Sequence, residues 1–175
     1  VTIVGSLDRF TLNGTLTSTG LVARGNAARH LQATYSWVDA KTANAKMNVA
    51  LTADTVSAYG FAFDSVASDL SYAKPSGTFS VRITQGRERD YALRGDFTLD
   101  NARNELRLAD VTLRFDTTTW RTTHPAAIRW GGRGVEVVNL ELRSGPTQRL
   151  YANGILPTSG PANFELAVTN FNVAN

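Results

Sequence analysis

The side chains able to carry chemistry are few and scattered. The chain has two histidines, His30 and His124, with no HExxH or comparable ligand pair. His124 precedes Pro125, which places it in a turn and not on a metal. There is no cysteine, and this excludes disulfides, thiolate chemistry and Cys-based metal sites. No GxSxG elbow supports a hydrolase. Asp96, Asp100, Glu105 and Asp110 fall on or near extended segments but form no pattern that pairs an acid with a base. The expectation is a protein without catalytic residues, cofactor or metal.

Two glycine-containing clusters invite a binding role. Gly131-Gly132-Arg133-Gly134 lacks the GxxxxGK[ST] or GxGxxG frame and a following helix, so it reads as a hairpin turn. Gln85-Gly86-Arg87-Glu88-Arg89-Asp90 reads as a solvated turn, with a lipid-headgroup contact by Arg87 or Arg89 as the sharper alternative. Charged residues make up 19% of the chain, with 18 Lys and Arg against 15 Asp and Glu. The net charge of +3 is mild and dispersed, which disfavours nucleic-acid binding. With 175 residues that are 42% hydrophobic, the chain can bury a substantial core. It holds no apolar run long enough for a membrane-spanning helix.

The elements that would position these groups are strands. Phe10, Leu12 and Leu16 alternate with Thr11, Asn13 and Thr15, and Phe79, Val81 and Ile83 alternate with Ser80, Arg82 and Thr84. Such alternation marks half-buried strands. Further strands are expected over 31–37, 47–51, 59–63, 66–72, 91–99, 106–115, 135–142, 150–156 and 164–173. The one stretch with helical character, 26–32, is short and is assigned to strand. Turn clusters separate the strands: Lys74-Pro75-Ser76-Gly77, Asp100-Asn101, Ser144-Gly145-Pro146 and Thr158-Ser159-Gly160-Pro161. Trp120 and Trp130 bracket the Pro125 turn, either covering the end of a core or lining a ligand path.

Three of the longer strands change phase once. Leu106 and Leu108 give way to Val111, Leu113 and Phe115; Val135 and Val137 to Val138, Leu140 and Leu142; Phe164, Leu166 and Val168 to Phe171 and Val173. A one-residue slip carries the apolar set to the other face unless a bulge absorbs it. Bent strands are therefore expected, and a bend shared by successive strands would curl the sheet. FTLNGTLTSTG, YALRGDFTLDN and LYANGILPTSG form a faint repeat with Gly14, Gly95 and Gly154 at the same place. The irregular spacing fits a meander and not a solenoid, and a glycine within a strand marks a bend or close backbone approach.

From about Tyr72 onward, YALRGDFTLDN, LRLADVTLRFDTTTWRTTHPAAIRW, GVEVVNLELRSG and LYANGILPTSGPANFELAVTNF follow one another in an order that resembles the TamB family, within the AsmA-like group. Residues 72–175 carry the resemblance, and the earlier part matches in style only. The resemblance implies a segment of a large periplasmic protein of a Gram-negative-type bacterium, anchored in the inner membrane by a segment outside this chain. Both ends of residues 1–175 would then be cuts through a single β-rich region. Its implied role is to move phospholipid towards the outer membrane and to assist outer-membrane protein assembly, with a TamA-type or BamA-type barrel as partner.

The expected fold is all-β, an antiparallel meander of long bent strands curled into an open groove or closed as a sandwich. In the groove case the wall in contact with phospholipid acyl chains comprises Phe79, Val81, Ile83, Tyr91, Leu93, Phe97, Leu99, Leu113, Phe115, Leu140, Leu142, Phe164 and Leu166. In the sandwich case the same residues form a closed core and the protein is an interaction scaffold for a barrel or a nascent strand.

Overall fold

A computed structural model describes residues 1–6, 8–100 and 104–170. Among them there is no helix, and all thirteen strands belong to one antiparallel sheet. In chain order these are β1 (Thr2–Ser6), β2 (Arg9–Ala23), β3 (Asn26–Ala40), β4 (Lys46–Ala58), β5 (Phe61–Ala73), β6 (Ser76–Gln85), β7 (Arg89–Leu99), β8 (Asn104–Phe115), β9 (Thr118–Thr122), β10 (Ala126–Gly131), β11 (Gly134–Ser144), β12 (Gln148–Pro157) and β13 (Asn163–Thr169). Each strand pairs with its sequence neighbours, as in a meander. The exception is β8, whose first half pairs with β10 and whose second half pairs with β9. Strands β9 and β10 thus act as one broken strand between β8 and β11, interrupted at Thr123, His124 and Pro125.

The sequence expectations differ from this arrangement in several places: Ser76 and Gly77, expected in a turn, open β6, and the strand expected over 47–51 extends to Ala58 in β4. Segments 59–63 and 66–72 were expected as separate strands but form the single strand β5, entered through a turn at Tyr59 and Gly60. The apparent break is a change of phase inside one strand. Strands β9 and β10 were not anticipated, because Thr-rich TTWRT alternates weakly and Pro125 interrupts the pattern. The expected strand positions Phe171 and Val173, and the turn residue Asn101, lie outside the described residues.

Bends are shared between strands. On one side of the sheet Gly95 of β7 faces Leu108 of β8, while Arg94 faces Asp110, so Ala109 is an extra residue. The line continues through the β9/β10 break to β11, where Val138 and Asn139 oppose β12 between Val137 and Leu140. Asn139 has φ of 52°, and its N–H donates to Asn153 Oδ1 at 3.1 Å. A second line crosses β2–β5 at Gly20, Arg29, Thr55 and Asp64, with φ of 72° at Gly20 and 50° at Thr55. All four strands change phase there together, so the register across them is kept.

The core is asymmetric. Leu108, Val111, Trp120, Ala126 and Leu142 form the buried cluster, with Phe79, Leu93, Leu106, Leu113, Ile128, Leu140 and Leu150 packed against it. A tryptophan with 6% exposure on one sheet requires that face to be concave around β8–β11. The accessible surface totals 11683 Å², whereas a compact protein of this mass has about 8,300 Å². Much of the sheet therefore carries no covering layer.

Candidate functional site: the apolar face

The register brings the apolar residues of distant strands into rows that run across the sheet. One row passes from Ile3 through Leu12, Trp37, Met47, Tyr72, Gly77, Phe97, Leu106, Ile128, Val137 and Gly154 to Phe164, each residue directly opposite the next. The neighbouring row runs Gly14, Tyr35, Val49, Leu70, Phe79, Gly95, Leu108, Ala126. A third contains Leu16, Ala33, Leu51, Ser68, Val81, Leu93 and Val111, and a fourth Ser18, Leu31, Ala53, Val66, Ile83, Tyr91, Leu113 and Trp120. At the usual inter-strand spacing a row across the whole sheet extends about 50 Å. The result is one continuous apolar face.

Glycines in these rows sit beneath aromatic rings. A Cβ on Gly14 would lie 2.4 Å from the Tyr35 hydroxyl, one on Gly95 would lie 2.9 Å from the Phe79 ring, and one on Gly77 would lie 2.4 Å from the Phe97 ring. Each aromatic is the direct cross-strand partner of its glycine and covers the gap left by the missing side chain. Over Gly77 two rings meet: Tyr72 and Phe97 stack with centroids 5.9 Å apart and planes inclined by 7°. Two glycines of the sequence repeat, Gly14 and Gly95, thus lie in the same row.

All thirteen residues expected to line a groove lie on this face. Leu142 is buried; Phe79, Val81, Ile83, Tyr91, Leu93, Phe97, Leu113 and Leu140 are half-buried; Leu99, Phe115, Phe164 and Leu166 are exposed. The sequence-derived set missed the continuation of the same rows through β2–β5, including Leu12, Leu16, Tyr35, Trp37, Met47, Val49 and Leu51. It also missed Leu108, Val111 and Trp120 at the deepest point. The signal was present, since β2–β5 alternate as cleanly as β6, but the register that joins them to the later strands is non-local.

The opposite face is polar and laced with charge pairs. Arg114 bonds to Asp90, Arg129 to Glu105, and Arg94 stands opposite Asp110. Ser80 Oγ donates to Asp69 Oδ2 at 3.3 Å, beside a depression of about 620 Å³ bordered by Asn48, Asp69, Thr78, Ser80 and Arg94. The best-enclosed pair is at Glu141, whose carboxylate accepts from Arg143 Nε and Arg149 Nε, each at 2.7 Å, while its side chain is 10% exposed. These two hydrogen bonds hold the Glu141 pKa down to about 2, against the opposing effect of burial. Among the described residues no group of three His, Asp or Glu is placed to hold a metal ion.

His124 is exposed in the bend that separates β9 from β10. Gly132-Arg133 forms the two-residue hairpin loop between paired Gly131 and Gly134, and Gly86, Arg87 and Glu88 form the loop between paired Gln85 and Arg89. The arrangement therefore offers a long apolar surface, with polar loops at these two hairpins. Comparison with protein-family models, curated proteins and solved structures returns no match to this chain.

Proposed function

We propose that this chain is a segment of a lipid conduit whose apolar β-face shields phospholipid acyl chains in transit through a bacterial envelope. The observation that carries the reading is the continuity of the apolar rows, one of which crosses from β1 to β13, on a sheet with an uncovered surface. Each methylene exposed to water costs about 0.8 kcal/mol, so a chain of about fifteen carbons needs roughly 12 kcal/mol of unbroken shielding along its path. A row of this length supplies it without cofactor or covalent chemistry. The resemblance of residues 72–175 to the TamB family supports phospholipid as the cargo and the periplasm as the setting. Lipid extracted from the purified chain and identified by mass spectrometry tests the reading. Phospholipid should co-purify and should crosslink to photoreactive residues at Leu93 and Leu113; a lipid-free chain without crosslinks overturns it.

A second reading draws on the sheet edges. Among the described residues β1 pairs only with β2, and β13 only with β12, so both outer strands present an edge without a described partner. Such edges accept an added strand, and the implied partner is an outer-membrane barrel of TamA or BamA type. Capture of a purified barrel that survives a charge placed on the edge, Val168→Lys, counts against this docking mode at β13.

A further inference from the structure

The rim of the apolar face is chemically uneven. Two hairpin tips, joining β2 to β3 and β4 to β5, lie side by side and are tied by the Tyr59 N–H, which donates to Asn26 Oδ1 at 3.1 Å. They expose large apolar groups to water: Tyr59 is 89% exposed, Val22 74% and Phe61 61%. Phe61 stacks on Phe63 with ring centroids 6.4 Å apart, so the pair is held as one aromatic unit. Within segments 20–27 and 57–63 Arg24 is the only charged residue. The next tip on the same rim, between β6 and β7, is the opposite in character, with Arg87, Glu88 and Arg89 and no large apolar side chain.

Behind the two tips the apolar face is indented. A depression of about 220 Å³ is bordered by Leu21, Ala28, Leu31, Leu51, Val56 and Val66. Leu31, Leu51 and Val66 belong to the rows described above, so the indentation opens directly into the long apolar face. Apolar surface is therefore continuous from the exposed rim to the sheet interior.

We infer that the paired tips dock into the interfacial region of a lipid bilayer and form the lateral mouth through which an acyl chain enters or leaves the apolar face. This rests on the conduit reading and names where that conduit meets its source or acceptor. A bilayer is the occupant that fits the chemistry. The tips are narrow and convex, so a protein partner would gain little buried area from them, whereas a membrane moulds around a protrusion. Tyrosine and phenylalanine at a tip suit the headgroup boundary, where an aromatic ring sits between water and hydrocarbon. Arg24 is placed to meet lipid phosphate, and the near-absence of other charge lowers the desolvation cost of insertion.

The chain has no native cysteine, so single labels are direct. The full chain carrying Tyr59→Cys with a polarity-sensitive fluorophore is mixed with vesicles of phosphatidylcholine containing a minority of phosphatidylglycerol, alongside Arg87→Cys as the control tip. The label at position 59 should shift to the blue and brighten severalfold, and the label at position 87 should not. In vesicle flotation, Phe61→Ser should lower the bound fraction on the order of tenfold. Arg24→Gln should weaken binding severalfold on anionic vesicles and little on neutral ones. All four substituted side chains are solvent-exposed, and far-UV circular dichroism checks that the sheet persists.

No shift at position 59, an equal shift at position 87, or a shift that appears with rising protein concentration before vesicles are added overturns the inference, the last by making a second copy the occupant. Leu93→Asp separates this from the conduit reading: it should remove co-purified lipid and leave docking intact. Wild-type chain that carries lipid but does not float with vesicles, or Phe61→Ser that floats as well as the wild type, defeats the mouth and spares the conduit, and lipid-free wild-type protein that still docks does the reverse.

Discussion

Replacing Gly95 by alanine should be far more damaging than the same change at Gly14, although both glycines face an aromatic partner in the same cross-strand row. A Cβ on Gly95 would lie 2.0 Å from the backbone oxygen of Arg107 and 3.0 Å from its carbonyl carbon, in addition to the Phe79 ring. The bulge at Ala109 fixes that carbonyl, so no side-chain rotation relieves the contact, and the ladder between β7 and β8 must part locally. Losing two ladder hydrogen bonds and straining the bulge costs about 3 kcal/mol, less about 0.5 kcal/mol from the stiffer unfolded chain. At Gly14 the three nearest atoms all belong to the Tyr35 side chain, at 2.4 to 3.2 Å. Swinging that half-buried ring aside should cost about 1 kcal/mol. Urea denaturation followed by tryptophan fluorescence measures both. Tyr35→Ala should absorb most of the Gly14→Ala penalty in a double-mutant cycle, whereas Phe79→Ala should leave most of the Gly95→Ala penalty in place. Equal penalties at the two glycines, or full rescue of Gly95→Ala by Phe79→Ala, would refute the claim that backbone approach at the bend makes Gly95 obligatory.

Three further outcomes follow from the packing and charge described above. Trp120→Ala should destabilise by about 3–4 kcal/mol in the same assay, because Trp120 is the largest member of the buried cluster; a loss below about 1 kcal/mol would mean that the β8–β11 face is not the core. Thr122→Val should cost about 1–2 kcal/mol, since the Thr122 hydroxyl accepts from the Val111 N–H at 3.0 Å where the β8–β9 ladder fails, and valine leaves that buried donor unpaired. Glu141 has a folded pKa of about 2, below its ordinary value of 4.5, so its contribution is present above the unfolded pKa and is lost as pH falls from there through about 2. Because Arg143 is 49% and Arg149 36% exposed, solvent screening limits that contribution to about 1 kcal/mol, and comparing urea midpoints of wild type and Glu141→Gln near neutral pH and near pH 3 should show their difference shrinking in acid; an unchanged difference sinks the assignment.

The local pattern carried much of this fold. Alternation around Phe79 and around Leu93 marked strands, and the phase changes after Leu108 and Val137 marked the two bulges at Ala109 and at Val138-Asn139. What the pattern could not convey was which residues stand opposite one another. The phase change between Phe63 and Val66 looked like a gap between strands, yet β3 and β4 change phase at the same level and the strand runs through. Strands β9 and β10 escaped notice because the polar threonines of β9 alternate weakly and Pro125 breaks the series before β10. Their placement depends on β8 and β11 holding each half from either side. Pairing is decided by neighbours distant in sequence, so the apolar rows through Tyr35, Val49 and Leu70 became visible only with the register.

The coordinated bends explain how a one-sided sheet stays one-sided. A slip in one strand alone would turn its outer apolar residues towards water and interrupt the rows. Across β2–β5 the strands slip together at Gly20, Arg29, Thr55 and Asp64, and the residues beyond the line, Leu21, Ala28 and Val56, border the same apolar depression as Leu31, Ala53 and Val66 before it. Across β7–β12 bulges and the Pro125 break do the same work, and Leu108 and Val111 remain members of one buried cluster although a bulge separates them. Glycine beneath an aromatic ring lets adjacent strands approach without opening a gap in that surface. Curvature and apolar continuity are normally in conflict in a period-two element, and here both are met by distributing each bend over several strands. A closed core would need only local packing, so continuity maintained through bends and out to the exposed rim is the property that a path for a long apolar chain requires.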